Sequence, residues 1–155
     1  MAMRALYSPM DWPEPSWRWF SPTALGSDGL RWHLRAYNHD TGRYEDLLFP
    51  RMLEVDGERP AQPLPPDHDW DRFVTVHLRP AARLSPGQRR LIEADSGMAA
   101  GEARVGVRVA LLSLFVRRIR LGREGGSFEI LNRAEAQGEI RRLDDLFVRA
   151  PGAAA

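Results

Sequence analysis

The sequence predicts a mixed fold, with a small all-β unit first and a small α+β unit after it. Three observations predict this. Short segments with alternating apolar residues and turn signals between them fill residues 1–55. A stretch with Gly57, Pro60, Pro63, Pro65 and Pro66, lacking any apolar period, then interrupts the chain. Beyond it, strand and helix patterns mix.

The elements follow in order. Met3 to Ser8 reads as a first strand. Pro9, Pro13 and Pro15 make the next segment a loop. Trp17 to Thr23 reads as a second strand, which puts Pro22 at its end or on a sheet edge. Gly26-Ser27-Asp28-Gly29 is a turn. Gly29 to Tyr37 is the most regular strand of the chain. Side chains in a strand alternate faces, so Leu30, Trp32, Leu34 and Ala36 share one face and Arg31, His33, Arg35 and Tyr37 the other. The first set suits a core. The second is two guanidiniums, an imidazole and a phenol, groups that suit a phosphate or a base. Asn38 to Gly42 is a hairpin connection, with glycine placed for a positive φ. Arg43 to Phe49 returns, and Arg51 to Val55 is a last short strand after Pro50.

In the second half, Trp70 to Leu78 reads as a strand on which Phe73, Thr75 and His77 alternate with Val74, Val76 and Leu78. Ser85 as N-cap and Pro86 at the first helical position open a helix that Gly97 ends. Val105 to Leu121 carries a helical stripe at Val107, Leu111, Leu114, Phe115 and Ile119, though its first residues also fit a strand. Phe128 to Leu131 fits a strand and Ala134 to Leu143 a weak helix. The expected domains are 1–56, a linker over 57–68, a second unit over 69–150 and a frayed tail over 151–155.

Composition narrows the function classes. With 155 residues, 43% of them hydrophobic, there is room for a core in one domain or two small ones. No cysteine means no disulfide and no thiolate zinc site, which fits a cytoplasmic protein. No apolar run approaches the ~20 residues a membrane span needs, and no signal-peptide pattern opens the chain. Net charge is +1, and every one of the 22 basic residues is arginine. Arginine is the better fork for phosphate and base edges, and arginine bias also follows from a GC-rich genome.

Motifs for catalysis are thin. His33, His39, His68 and His77 have no helical i, i+4 spacing, so no metal site is expected. Gly122 to Gly126 lacks the Lys-Ser/Thr of a phosphate loop, and there is no nucleophile elbow. The paired acids Asp67/Asp69 and Asp144/Asp145 read as solvated surface. No catalytic residue, metal or cofactor is expected. Trp17 and Trp19 read as core. The basic face has an ordinary alternative reading too: its arginines pair with Glu45 or Asp46 on the neighbouring strand.

One resemblance adds to this. Tyr7-Ser8, the run Arg18 to Leu25, the run Asp28 to Tyr37, Tyr44-Glu45-Asp46-Leu47 and Pro50-Arg51-Met52 occur in order. Together they resemble the WYL domain, a ligand-sensing module of bacterial transcription regulators. The family's naming triplet stands here as Trp32-His33-Leu34, with histidine in place of tyrosine. Trp70 to Leu121 is similar to the extension that follows such domains, and the whole looks like the family's phage-defence regulators.

The resemblance implies an Sm-like or SH3-like β-barrel followed by a ferredoxin-like α+β extension. It implies a non-enzymatic sensor of a nucleotide or single-stranded nucleic acid, acting as a homodimer in transcription regulation. Carried over by position, Ser8, His33, Arg35, Tyr37 and Arg51 would hold the ligand, with Arg35 and Arg51 on phosphate. Family regulators place a winged helix-turn-helix before the barrel. Here a barrel strand opens the sequence, so the expectation is a chain without its own recognition helix, either a free-standing sensor or the remnant of a truncated regulator, with the DNA-binding regulator supplied in trans or lost. The rival reading is a protein-interaction module that docks a separate regulator without a nucleic-acid ligand.

Overall fold

The computed structural model describes residues 1–9, 14–27, 30–120 and 126–148. They form two compact units, Met1–Asp67 and His68–Arg149. Asp28-Gly29 of the expected turn, Pro13 of the expected loop, residues 122–125 of the glycine-rich run and the tail lie outside the described residues.

The first unit is one antiparallel sheet. Its strands are β1 (Ala2–Tyr7), β2 (Ser16–Ser27), β3 (Trp32–Asn38), β4 (Arg43–Leu48) and β5 (Met52–Arg59), in the order β4-β3-β2-β1-β5. Among the described residues β4 and β5 do not pair, so the sheet is open where a closed barrel was expected. The local chemistry fits open edges. A 3-10 turn over Phe49–Arg51, with Pro50 in it, ends β4 at Leu48. Leu53 to Arg59 of β5 are all exposed, with Glu54, Asp56 and Glu58 among them.

One face of this sheet is its core. Ala5, Tyr7, Phe20, Leu34, Ala36 and Leu47 are buried together, with Met3 and Met52 packed against them. Tyr7 meets Phe20 edge to face at 6.1 Å between centroids. The alternation along β3 therefore has the right phase, but burial covers only part of it. Leu34 and Ala36 are buried, whereas Leu30 is 73% and Trp32 60% exposed. Trp32 opens β3 opposite Ser27, the last residue of β2, so the ladder offers no further neighbour there.

β2 runs to 12 residues, and Pro22 sits inside it rather than at an end or edge. The β2–β3 register shifts between Pro22 and Ala24. A bulge is where a residue without an N–H costs a central strand least. In the β3–β4 hairpin, Asn38 Oδ1 accepts from the Asp40 amide at 2.9 Å, and Gly42 has φ 68°. Both features match the turn chemistry of the sequence. Trp17 and Trp19 do not join the core. They lie on the opposite face, under Arg4 at 4.9 Å and Arg59 at 4.1 Å.

The second unit opens with a single turn of helix, α1 (His68–Asp71), so the strand expected from Trp70 starts later. Then come β6 (Phe73–Pro80), α2 (Pro86–Asp95), β7 (Ala103–Arg108), a 3-10 turn over Val109–Leu111, α3 (Leu112–Arg120), β8 (Phe128–Ile130) and α4 (Arg133–Val148). The sheet order is β7-β6-β8, with β6 antiparallel to both neighbours. β7 and β8 are thus parallel to each other, joined through α3 and separated by β6. Val74, Val76, Leu78 and Val107 of the sheet bury against Val109, Leu112, Val116 and Ala136. The expected helix over 105–121 is a strand first, because Val105 and Val107 serve the sheet and the helical stripe begins only at Leu112.

Ser85 and Gln88 close a capping box at the start of α2, and Gly97 follows it with φ 60°. α2 has no buried residue. After it, Ala99 and Glu102 exchange two backbone hydrogen bonds of 3.1 Å across a tight turn through Ala100 and Gly101.

Candidate functional site

The second face of the first sheet carries the residues singled out in the sequence. Cross-strand partners share a face, so His33, Arg35 and Tyr37 of β3 lie with Leu48, Asp46 and Tyr44 of β4. This face is not open. His33 is 3% and Arg35 4% exposed. A buried guanidinium must be paired, and Arg35 is. Its Nη1 donates to Asp46 Oδ2 at 3.0 Å. Its Nε and Nη2 donate to Asp67 Oδ2 and Oδ1 at 2.7 and 2.8 Å.

Two kinds of signal meet here. Asp46 is the ladder partner that the ordinary reading of the face named. Asp67 comes from the stretch read as linker. That stretch folds back on this face, since Tyr44 Oη also donates to the Pro65 carbonyl at 2.8 Å. No local pattern announces Asp67. The hint was that a strand with two arginines and a histidine on one face needs acids from somewhere.

The aromatic end of the face is a cluster. The Tyr37 ring stands 5.2 Å from both Tyr44 and His39, edge on to each, and Arg35 lies over Tyr44 at 5.6 Å. Ser21 and His39 are hydrogen bonded at 2.8 Å. Burial and the charge of Arg59 hold His39 below its ordinary pKa. Asp46 moves the other way. Burial pushes its carboxyl up to about 6, against the pull of Arg35 and His33. Its Oδ1 is buried with no hydrogen-bond partner among the described residues.

At the other end, Ser8 donates its amide to the Arg51 carbonyl at 3.0 Å. That bond sets Ser8 and Arg51 side by side. Arg51 closes the 3-10 turn that follows Leu48, the ladder partner of His33, and is half-buried. Of the five residues, His33, Arg35 and Tyr37 share the second face of β3, while Ser8 and Arg51 are joined through their backbones at the turn beyond Leu48.

In the second unit, Asp69 accepts from Arg142 at 2.5 Å, and Arg142 reaches Glu139 at 2.8 Å. Asp67 and Asp69, read from the sequence as solvated surface, are instead largely buried and engaged by arginines. The side chains of Asp144 and Asp145 lie outside the described residues. Among the described residues no cluster of His, Asp or Glu could hold a metal ion. No helix among them is long and apolar enough to cross a membrane. A cavity of about 340 Å³ opens between α3, α4 and β8, with Val116, Ile130 and Ile140 among its lining residues.

Comparisons with known proteins give first a class. Residues 73–137 match the family described as "BrxR transcriptional regulator, C-terminal dimerization domain". The relatives are more particular. The chain is 39% identical over 123 residues to the DNA-binding transcriptional repressor CapW of Stenotrophomonas maltophilia, covering 78% of this chain and 41% of the relative. The CapW repressor of Pseudomonas aeruginosa is 35% identical over 127 residues, covering 79% and 41%. That of Escherichia coli is 34% identical over 121 residues, covering 77% and 40%. The chain thus spans about 41% of the length of the repressors it matches. These matches support kinship with regulators of the WYL type.

Proposed function

We propose that this chain is the ligand-sensing and dimerising part of a WYL-type transcriptional regulator, without enzymatic activity. The similarity to repressors across 78% of the chain carries this reading. In it, the first sheet is an opened version of the small Sm-like barrel. The linear order β4-β3-β2-β1-β5 supports that, since curling β4 towards β5 would close one. The parallel β7 and β8 flanking β6 support a ferredoxin-like second unit. Two copies associate through that unit, and DNA is read by a winged domain in cis or in trans.

The effector is a nucleotide or a short single-stranded nucleic acid. Ser8 and Arg51, adjacent at the turn beyond Leu48, meet its phosphate, and His33 and Tyr37 border it. Arg35 reaches the effector only if Asp67 gives up its place. Titration of labelled oligonucleotides and cyclic nucleotides against wild type and Arg51→Ala tests the site. A weaker variant supports it, and equal affinity overturns it. Sedimentation of the purified chain tests the dimer, which a monomer at tens of micromolar would overturn.

A second reading keeps one observation of its own. Leu25 and Trp32 are 57% and 60% exposed at the end of the core face, and Phe49, in the turn after β4, is 44% exposed. Such a patch suits protein docking. Capture of a partner regulator by wild type but not by Trp32→Ala, with no oligonucleotide bound, would favour it.

A further inference from the structure

The sheet of the second unit buries one face and leaves the other uncovered. By the register, Phe73, Thr75, His77 and Arg79 of β6 share the uncovered face with Arg104, Gly106 and Arg108 of β7 and Glu129 of β8. Phe73 is 59% exposed, and Thr75, Arg79, Arg104 and Gly106 are exposed too. A Cβ added at Gly106 would meet nothing within 4 Å. Beside Gly106 the face is therefore flat and open.

Its net charge is positive. Glu129 accepts from Arg79 at 2.9 Å, and that pair cancels. Arg104 and Arg108 remain, with His77 opposite Arg104 on the ladder. No other acid stands at these ladder positions. Arg104 makes no ion pair among the described residues. Arg108 lies over Phe73 at 4.6 Å and over Trp70 at 4.7 Å, and donates Nη1 to the Trp70 carbonyl. A cation held against two rings keeps the Phe73 ring in place without burying it.

We propose that this uncovered face, where exposed Phe73 and the arginines at 104 and 108 share one side of β6 and β7, is a platform for single-stranded nucleic acid. Bases stack on Phe73 while the arginines follow the phosphates. The charge decides against a second copy face to face, because it would bring like-charged arginines together. A flat face with an exposed aromatic ring suits unpaired bases, whose rings are free to stack, better than a duplex. The platform lies in the second unit. Its failure and that of the first-sheet site separate in one experiment.

The test is a titration of fluorescein-labelled dT12 against the full chain and its Phe73→Ala, Arg104→Gln and Arg51→Ala variants. Circular dichroism and the unfolding midpoint check that each variant folds, and Thr75→Glu serves as a further variant on the same face. Phe73→Ala should weaken binding roughly fivefold or more. Arg104→Gln should lower the salt slope by about 0.7. Thr75→Glu should weaken binding with the fold unchanged. Wild-type affinity in all three folded variants overturns the platform. If Arg51→Ala alone loses affinity, the first-sheet site stands and the platform falls. Competition by poly-glutamate equal to that of unlabelled dT12 also overturns it, as it would mark a site for acidic peptide. So would a change in sedimentation of Arg104→Gln without any change in dT12 affinity, as it would mark contact with a second copy.

Discussion

The guanidinium of Arg35 gives two hydrogen bonds to one carboxylate, that of Asp67, 32 residues further along the chain. The fork-to-fork geometry is the strongest form such a pair takes, and Arg35 side-chain exposure is only 5%. The last residues of the first unit are thereby fixed to its central polar face.

Removing one partner of a buried pair leaves the other charge without compensation. Asp67→Ala should destabilise the first unit by roughly 3 kcal/mol. Urea unfolding followed by tryptophan fluorescence measures it. Asp67→Asn, which keeps an acceptor for Arg35, should cost less. A loss below about 0.5 kcal/mol, the scale of an exposed pair, would mean that the clamp contributes little.

Asp46 makes stability depend on pH in the less usual direction. Its folded pKa, about 6, lies above the ordinary carboxyl value of 3.8. Between these values the folded state holds the proton more tightly than the unfolded one. The contribution is full below about pH 4 and is lost as pH rises through about 6. Asp46→Asn cannot titrate and should remove this trend. Across that range wild type should lose roughly 1–3 kcal/mol relative to the variant. Thermal melts of both proteins between about pH 4 and 7 decide it, and parallel curves would rule it out.

Helix α2 depends on its own ends, because none of its residues is buried. Ser85 Oγ accepts from the Gln88 amide at 3.3 Å, and Gln88 Oε1 accepts from the Ser85 amide at 2.9 Å. Ser85→Ala should cost the helix about 1 kcal/mol. Amide exchange should then speed up across α2 while β6 and β7 stay protected.

Asn132 joins the last helix to the sheet. Its Nδ2 donates to the Thr75 carbonyl at 2.8 Å, and its Oδ1 accepts from the His77 amide at 3.0 Å. Asn132→Ala leaves two backbone groups of β6 unpartnered on that side, at a cost of about 1–3 kcal/mol. Asn132→Asp should restore only the acceptor half, and denaturant midpoints of the two variants separate the halves.

Much of this architecture could be read locally. The faces of β3 and β6, the hairpin at Gly42 and the Ser85 cap depend on neighbours in sequence, and each follows from period or turn chemistry. What could not be read depends on distant segments. Trp32 has the same phase as Leu34, yet it is exposed because the ladder ends beside it. Arg35 looks available until Asp67 arrives from the proline-rich stretch. Pro22 argued for an edge, since a bulge that tolerates it inside a central strand leaves no mark of its own. Trp17 and Trp19 looked apolar enough for a core, but arginines from other strands cover them instead. The candidate ligand residues were legible as one face of a strand. How much of that face is occupied was not.

The turn at Ala99 and Glu102 has a consequence for solubility. The His77 carbonyl accepts from Leu131 on the β8 side, so Leu78 faces β7 and Ala103 faces back. The pleat then points the Glu102 backbone outward, where Ala99 already bonds it. An incoming strand that tried to extend the sheet along β7 would meet this obstruction at its first rung. Uncontrolled edge-to-edge aggregation is blocked there by four residues of the chain itself.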